Sequence, residues 1–252
     1  MEVYYGIIIF IFGIVLGSFY TVVGERMPDG KSILFPPSNC PKCGHLLKFY
    51  ELIPIFSYIF LKGRCIKCKS KIPLLSTIIE FMTGILFFLA YLKFGISIKF
   101  FIALIFISML MIVIVSDIRY MVIIDEVLII GNILIFILLL FDLGIKGSLL
   151  SLFYGIISFS VMLLIKILGD IIFKKESMGG GDIKLMFTFG LVMGIVSSIA
   201  SIFVASFIGL PISLLMVKNN SSHEIPFGPY LSIAALILFF SGINVIDLLV
   251  RV

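Results

Sequence analysis

The chain has 252 residues, of which 61% are hydrophobic and 13% charged, with 19 basic and 14 acidic side chains for a net charge of +5. Soluble domains are roughly 45–50% apolar and about 25% charged, so a soluble globular domain and a disordered chain are both excluded, and the long non-alternating apolar runs argue against a membrane β-barrel. An all-α polytopic membrane protein remains, and at roughly 20 residues per span the length holds about eight transmembrane helices.

In chain order, residues 3–24 form an uncharged run that reads as an uncleaved first helix, because it lacks a basic leader and a small-residue cleavage site. Residues 25–73 are the polar block, with nine basic residues, three acidic residues, six of the nine prolines and all four cysteines. Apolar runs follow at 74–92, 95–116, 127–141 and 147–168, then at 185–217 and 226–246. The run 185–217 is 33 residues without a charge. As one helix it would be about 50 Å long against roughly 30 Å of hydrocarbon, so two spans parting near Ser197-Ser198 are expected. The domains read as 1–24, the first helix; 25–73, a small cysteine domain; and 74–252, a seven-helix core. No internal repeat is apparent.

Eight spans put both termini outside. Fifteen of the 19 basic residues then fall on the inner side, nine of them in the first loop, which is the positive-inside bias. The basic balance therefore reports orientation in a lipid bilayer, and no nucleic-acid partner is expected.

Cys40-Pro-Lys-Cys43 and Cys65-Ile-Lys-Cys68 are separated by 21 residues. Two CxxC pairs at about this distance are the pattern of a tetrahedral structural zinc site, each tight turn giving two thiolates. Two disulfides or four free thiols are the alternatives, and an inner-side loop disfavours the disulfides. His45 is a conceivable further ligand, although four cysteines close the site.

Acidic residues at span ends are costly and informative. Asp117 ends the third run, and Asp182 opens the sixth after Gly179-Gly180-Gly181. Two spans lie between them, so both face the side that carries the cysteine block. Paired carboxylates share one proton and can activate water against a peptide carbonyl, which is aspartyl-protease chemistry. The alternatives are a solvated helix end or an Arg119 partner for Asp117, and a helix-dipole role for Asp182. Glu80 either orients the acid pair, meets a basic side chain or snorkels to the surface. His223-Glu224 reads as a solvated loop.

Several strings together resemble the type IV prepilin leader peptidases. They are Gly17-Ser18-Phe19 with Arg26-Met27-Pro28, Pro36-Pro37-Ser38-Asn39-Cys40 through Cys68 with Tyr50-Glu51-Leu52-Ile53-Pro54, Met178-Gly179-Gly180-Gly181-Asp182-Ile183-Lys184-Leu185, and Ile225-Pro226-Phe227-Gly228-Pro229. The resemblance runs in order over nearly the whole chain. It implies an enzyme of the bacterial cytoplasmic membrane that removes a short basic leader from prepilin-like precursors. It further implies S-adenosylmethionine-dependent N-methylation of the new terminus, associated with the cysteine domain. It assigns catalysis to Asp117 and Asp182, with Asp125 a rival for the first. The chain has Ile124-Asp125 where the family usually has a proline before that position. Two other readings compete: an ion-relay transporter or channel gated by a zinc domain, and a non-catalytic scaffold.

Overall fold

The computed structural model describes residues 2–218 and 226–242. Among these the chain is helical, and β pairing is confined to two isolated bridges. The helices are α1 (Glu2–Arg26), α2 (Phe56–Phe60), α3 (Leu74–Phe94), α4 (Ile98–Tyr120), α5 (Asp125–Phe173), α6 (Gly180–Lys218) and α7 (Gly228–Ser241). Five of them, α1, α3, α4, α5 and α6, are long and apolar enough to cross a membrane, and α7 is a shorter apolar helix of 14 residues. His223-Glu224 and residues 243–246 of the last expected span lie outside the described residues.

The centre of the molecule is α4, which packs against α1, α3, α5 and α7. Its sequence is apolar on every side, as a helix enclosed by others must be, and Ala103, Phe106, Ile107, Leu110, Val113 and Val115 are fully buried. Against it, α1 and α3 form a close pair. A Cβ at Gly13 would fall 2.9 Å from the Gly84 Cα, and one at Gly17 would fall 2.8 Å from the Glu80 Cα. Small residues four apart let the two backbones touch, the usual way of joining helices in lipid.

Both very long helices turn back on themselves at a glycine. In α5, Gly144 has φ 67° and ψ −179°, a conformation open essentially to glycine alone. Asp125 at the start of α5 holds Lys184, while Asp170 near its end holds Ser177. Seven extended residues between Ser177 and Lys184 reach at most about 25 Å, whereas a straight helix would separate Asp125 from Asp170 by about 68 Å. The two ends therefore share one side, and the break falls between the fourth and fifth expected runs.

In α6 the break is at Gly194, φ 80° and ψ 174°. The Ser201 hydroxyl lies 4.0 Å from the Met186 sulfur, although 15 residues of straight helix would hold them about 22 Å apart. The run 185–217 is thus broken as expected, but at Gly194, three residues before Ser197-Ser198. Ser198 stays helical because its hydroxyl bonds back to the Ile195 carbonyl and faces Ser158 at 2.6 Å.

Between α1 and α3, the cysteine module contains two turns with the same backbone hydrogen-bond pattern, of which the sequence shows only the paired cysteines. In the first, Cys40 N–H donates to the His45 carbonyl, Gly44 N–H donates to the Cys40 carbonyl, and Asn39 bridges Leu46. In the second, Cys65 N–H donates to Ser70, Lys69 N–H donates to Cys65, and Arg64 bridges Lys71. The shared letters are only Cys-x-Lys-Cys, because the remaining pattern is backbone hydrogen bonding.

Candidate active site and metal centre

Asp117 lies in the last turn of α4, which Met121 closes in a left-handed conformation, its N–H bonded to the Asp117 carbonyl at 2.9 Å. Asp182 lies in the first turn of α6. Both are buried, at 6% and 7% exposure, and Asp182 is within Coulombic reach of Asp117. The N-terminus of α7 completes the site, where Gly228 N–H donates to Asp117 Oδ2 at 2.9 Å. Among the described residues, Oδ1 of Asp182 is buried without a hydrogen-bond partner.

Ile123 holds the three elements together. A Cβ on Gly181 would fall 2.7 Å from the Ile123 side chain, and one on Gly228 would fall 3.4 Å from it and 2.6 Å from Asp117 Oδ2. The glycine before Asp182 and the glycine bonded to Asp117 are thus both packed on one isoleucine, and the two acids lie within Coulombic reach of each other. Two buried carboxylates, one oriented by an N–H and one with a free oxygen, form an arrangement able to hold and activate a water.

The other charged residues near the site are paired elsewhere. Arg119 meets Glu25 at 3.2 Å rather than Asp117. Both oxygens of Asp125 accept from Lys184, at 2.8 and 2.7 Å, and both partners are half exposed. Among the described residues, Glu80 is bonded neither to the acid pair nor to a basic side chain. Its Oε2 accepts the Ile55 N–H at 2.8 Å, pinning the cysteine module to α3.

The four cysteines are free thiols, and their sulfurs all lie within 4.8 Å of one another. Cys40 and Cys68 are 3.7 Å apart, and Cys43 and Cys65 are 4.0 Å apart. Four thiolates around one ion at about 2.3 Å require separations of about 3.8 Å, so the cluster is positioned to bind a metal. The Ser70 hydroxyl and the N–H groups of Cys43 and Lys42 hold the Cys40 thiol down to about 6. His45 is turned away from the sulfurs, its Nε2 bonded to Glu51 at 3.0 Å.

Residues 11–94 match the bacterial peptidase A24 N-terminal domain, and residues 104–214 match the type IV leader peptidase family. A prepilin leader peptidase/N-methyltransferase of Bacillus subtilis (strain 168) is 34% identical over 248 residues, covering 97% of each chain. The chain belongs to the type IV leader peptidase family. A prepilin leader peptidase/N-methyltransferase of Myxococcus xanthus (strain DK1622) is 31% identical over 84% of this peptidase and 63% of its own length. The relative from Neisseria gonorrhoeae is 29% identical over 93% and 90%. No solved structure matches the chain.

Sequence reasoning missed three features of this leader peptidase. The Gly228 N–H was visible only as part of the Phe227-Gly228-Pro229 string, because a backbone donor has no residue signature. Lys184 was visible as the residue two after Asp182, but its pairing with Asp125 spans 59 positions. The Glu51 carboxylate, almost wholly enclosed and bonded to His45 and the Lys48 N–H, was visible only as part of the Tyr50-Glu51-Leu52-Ile53-Pro54 string.

Proposed function

We propose that this peptidase cleaves the short basic leader from type IV prepilin-like precursors with Asp117 and Asp182 as its catalytic pair. The observation that carries the reading is that two buried carboxylates lie within Coulombic reach of each other, one of them held by the Gly228 N–H. In the reaction, one ionised aspartate takes a proton from water as the oxygen attacks the scissile carbonyl carbon. The protonated partner donates to the carbonyl oxygen. Collapse of the tetrahedral intermediate breaks the C–N bond, and the amine leaves with a proton. The Gly228 N–H fixes the orientation of Asp117 while Asp182 Oδ1 is left free to face the water. Asp125, saturated by Lys184, is the weaker candidate.

The membrane reading is eight spans, both termini outside and the acid pair at the cytoplasmic face of the bacterial inner membrane. Its supports are the two glycine turns in α5 and α6 and the inner bias of basic residues. The metal is read as zinc, held by Cys40, Cys43, Cys65 and Cys68. A closed four-thiolate site supplies structural cross-linking and leaves no open position for hydrolysis.

Methylation of the new terminus from S-adenosylmethionine rests on the relatives' names, prepilin leader peptidase/N-methyltransferase. No described residue is assigned to the methyl donor.

The deciding experiment is cleavage of a prepilin-like precursor by purified enzyme in detergent, with Asp117→Asn, Asp125→Asn and Asp182→Asn compared with wild type. Loss in the 117 and 182 variants alone is the expected result. Cleavage surviving in both rejects the catalytic pair.

A further inference from the structure

The cysteine module carries an apolar face that no other described residue covers. In α2, Phe56, Ile59 and Phe60 are 59%, 61% and 79% exposed, and their i, i+3, i+4 spacing puts them on one side of the helix. The turn before α2 adds Phe49, at 85% exposure. Lys48, Lys62, Arg64, Lys67, Lys69 and Lys71 are all exposed. Among the described residues, the ion pairs within 4.0 Å involve none of these six cations. Exposed apolar side chains and cations without an ion-pair partner among the described residues, in one small module, compose an interfacial amphipathic surface.

The depth of α2 supports the same conclusion. Ile55, the residue before it, donates its N–H to Glu80. Glu80 is six residues beyond Leu74, the first residue of α3, so it lies about 9 Å inward along that helix. On α1, the residue packed on Glu80 is Gly17, about 12 Å along the helix from the charged Glu25. The start of α2 is therefore fixed several ångströms beyond the level where the charged end of α1 meets water.

We propose that Phe56, Ile59 and Phe60 are inserted among lipid acyl chains at the module side of the bilayer, with the surrounding cations on anionic headgroups. The bilayer is the occupant that the charge selects. A second copy of the chain would bring the same cations face to face, and a basic peptide would be repelled by them. Anionic lipid complements a block of nine basic and three acidic residues. This inference does not depend on the catalytic assignment.

The chain contains no tryptophan, so a single introduced Trp is an unambiguous reporter. Full-length Phe60→Trp and Ile59→Trp are reconstituted into phosphatidylcholine vesicles, with and without phosphatidylglycerol, each containing an acyl-brominated lipid. The expected result is blue-shifted emission quenched by the brominated chains, more strongly with the anionic lipid. Emission at the water-exposed wavelength without quenching overturns the proposal. Blue-shifted but unquenched emission also overturns it, because protein then covers the face. Quenching that appears only after a precursor is added overturns it in favour of substrate. If either variant loses its bound metal, hydrogen exchange of wild-type residues 49–60 decides: protection rising with phosphatidylglycerol supports insertion, and unchanged exchange rejects it.

Discussion

The Gly228 amide and the Asp117 carboxylate, 111 residues apart in sequence, meet through one buried hydrogen bond of 2.9 Å. It joins the start of α7 to the end of α4 and sets the direction of an acid at the centre of the site. Gly228→Ala places a methyl where a Cβ would stand 2.6 Å from Asp117 Oδ2, so the carboxylate must move. A displacement of about 1 Å in a catalytic group costs on the order of 10²-fold in rate. The expected outcome in precursor cleavage is a fall in kcat of that order with the melting temperature little changed. An unchanged kcat would show that the contact does not serve catalysis.

The Asp125–Lys184 pair is half exposed on both sides, and such pairs contribute about 0–1 kcal/mol. Asp125→Asn is expected to keep cleavage within a few-fold of wild type and to leave thermal stability nearly unaltered. Asp182→Asn should abolish cleavage in the same assay. Equal losses in the two variants would move Asp125 into the site.

Metal content separates the module from the membrane core. Cys65 is almost fully buried at the sulfur cluster, and Cys65→Ser removes one of four ligands. The expected result is loss of one bound metal per chain together with rapid proteolysis within residues 25–73, since a small module of this kind folds on its metal. The helices α4 to α7 pack on one another without the module and should stay resistant. Metal analysis and limited digestion of the same sample check both halves of this expectation.

Glu51 gives the module a defined acid response. The Lys48 N–H, and after it His45, hold its carboxyl below the usual carboxylate range. A group with a lowered folded value stabilises fully above its unfolded value and loses that stabilisation as pH falls through the folded one. The difference in melting temperature between wild type and Glu51→Gln should therefore be largest at neutral pH and shrink in acid. A difference independent of pH would mean that the contact contributes shape and not charge.

Much of the fold was legible because lipid permits so few solutions. Every backbone polar group in hydrocarbon must be paired within its own helix, so spans appear as unbroken apolar runs. The acids were legible for the complementary reason: Asp117 and Asp182 stand out where charge is expensive. The Gly194 turn was not, because it joins two apolar stretches and no polar loop marks it; Ser198, which looks like a break, is satisfied by the Ile195 carbonyl and the Ser158 hydroxyl. The Glu80 partner was hidden because it is the backbone of Ile55. The repeated turns of the cysteine module were hidden for the same reason.

The helix lengths beside the acid pair have a consequence for the surrounding lipid. Residues 180–193 and the 14 residues of α7 both start at the acids and run about 21 Å, against roughly 30 Å of hydrocarbon. Among the described residues each stops about 9 Å short, and Lys93 reaches over to take the Phe239 and Phe240 carbonyls at the far end of α7. On the eight-span reading, the opposite leaflet is expected to dip over this part of the molecule. Such hydrophobic mismatch costs a fraction of a kcal/mol per Å, so short-chain lipids are expected to suit this enzyme better than long-chain ones, with bilayer thickness a variable to which its stability should respond.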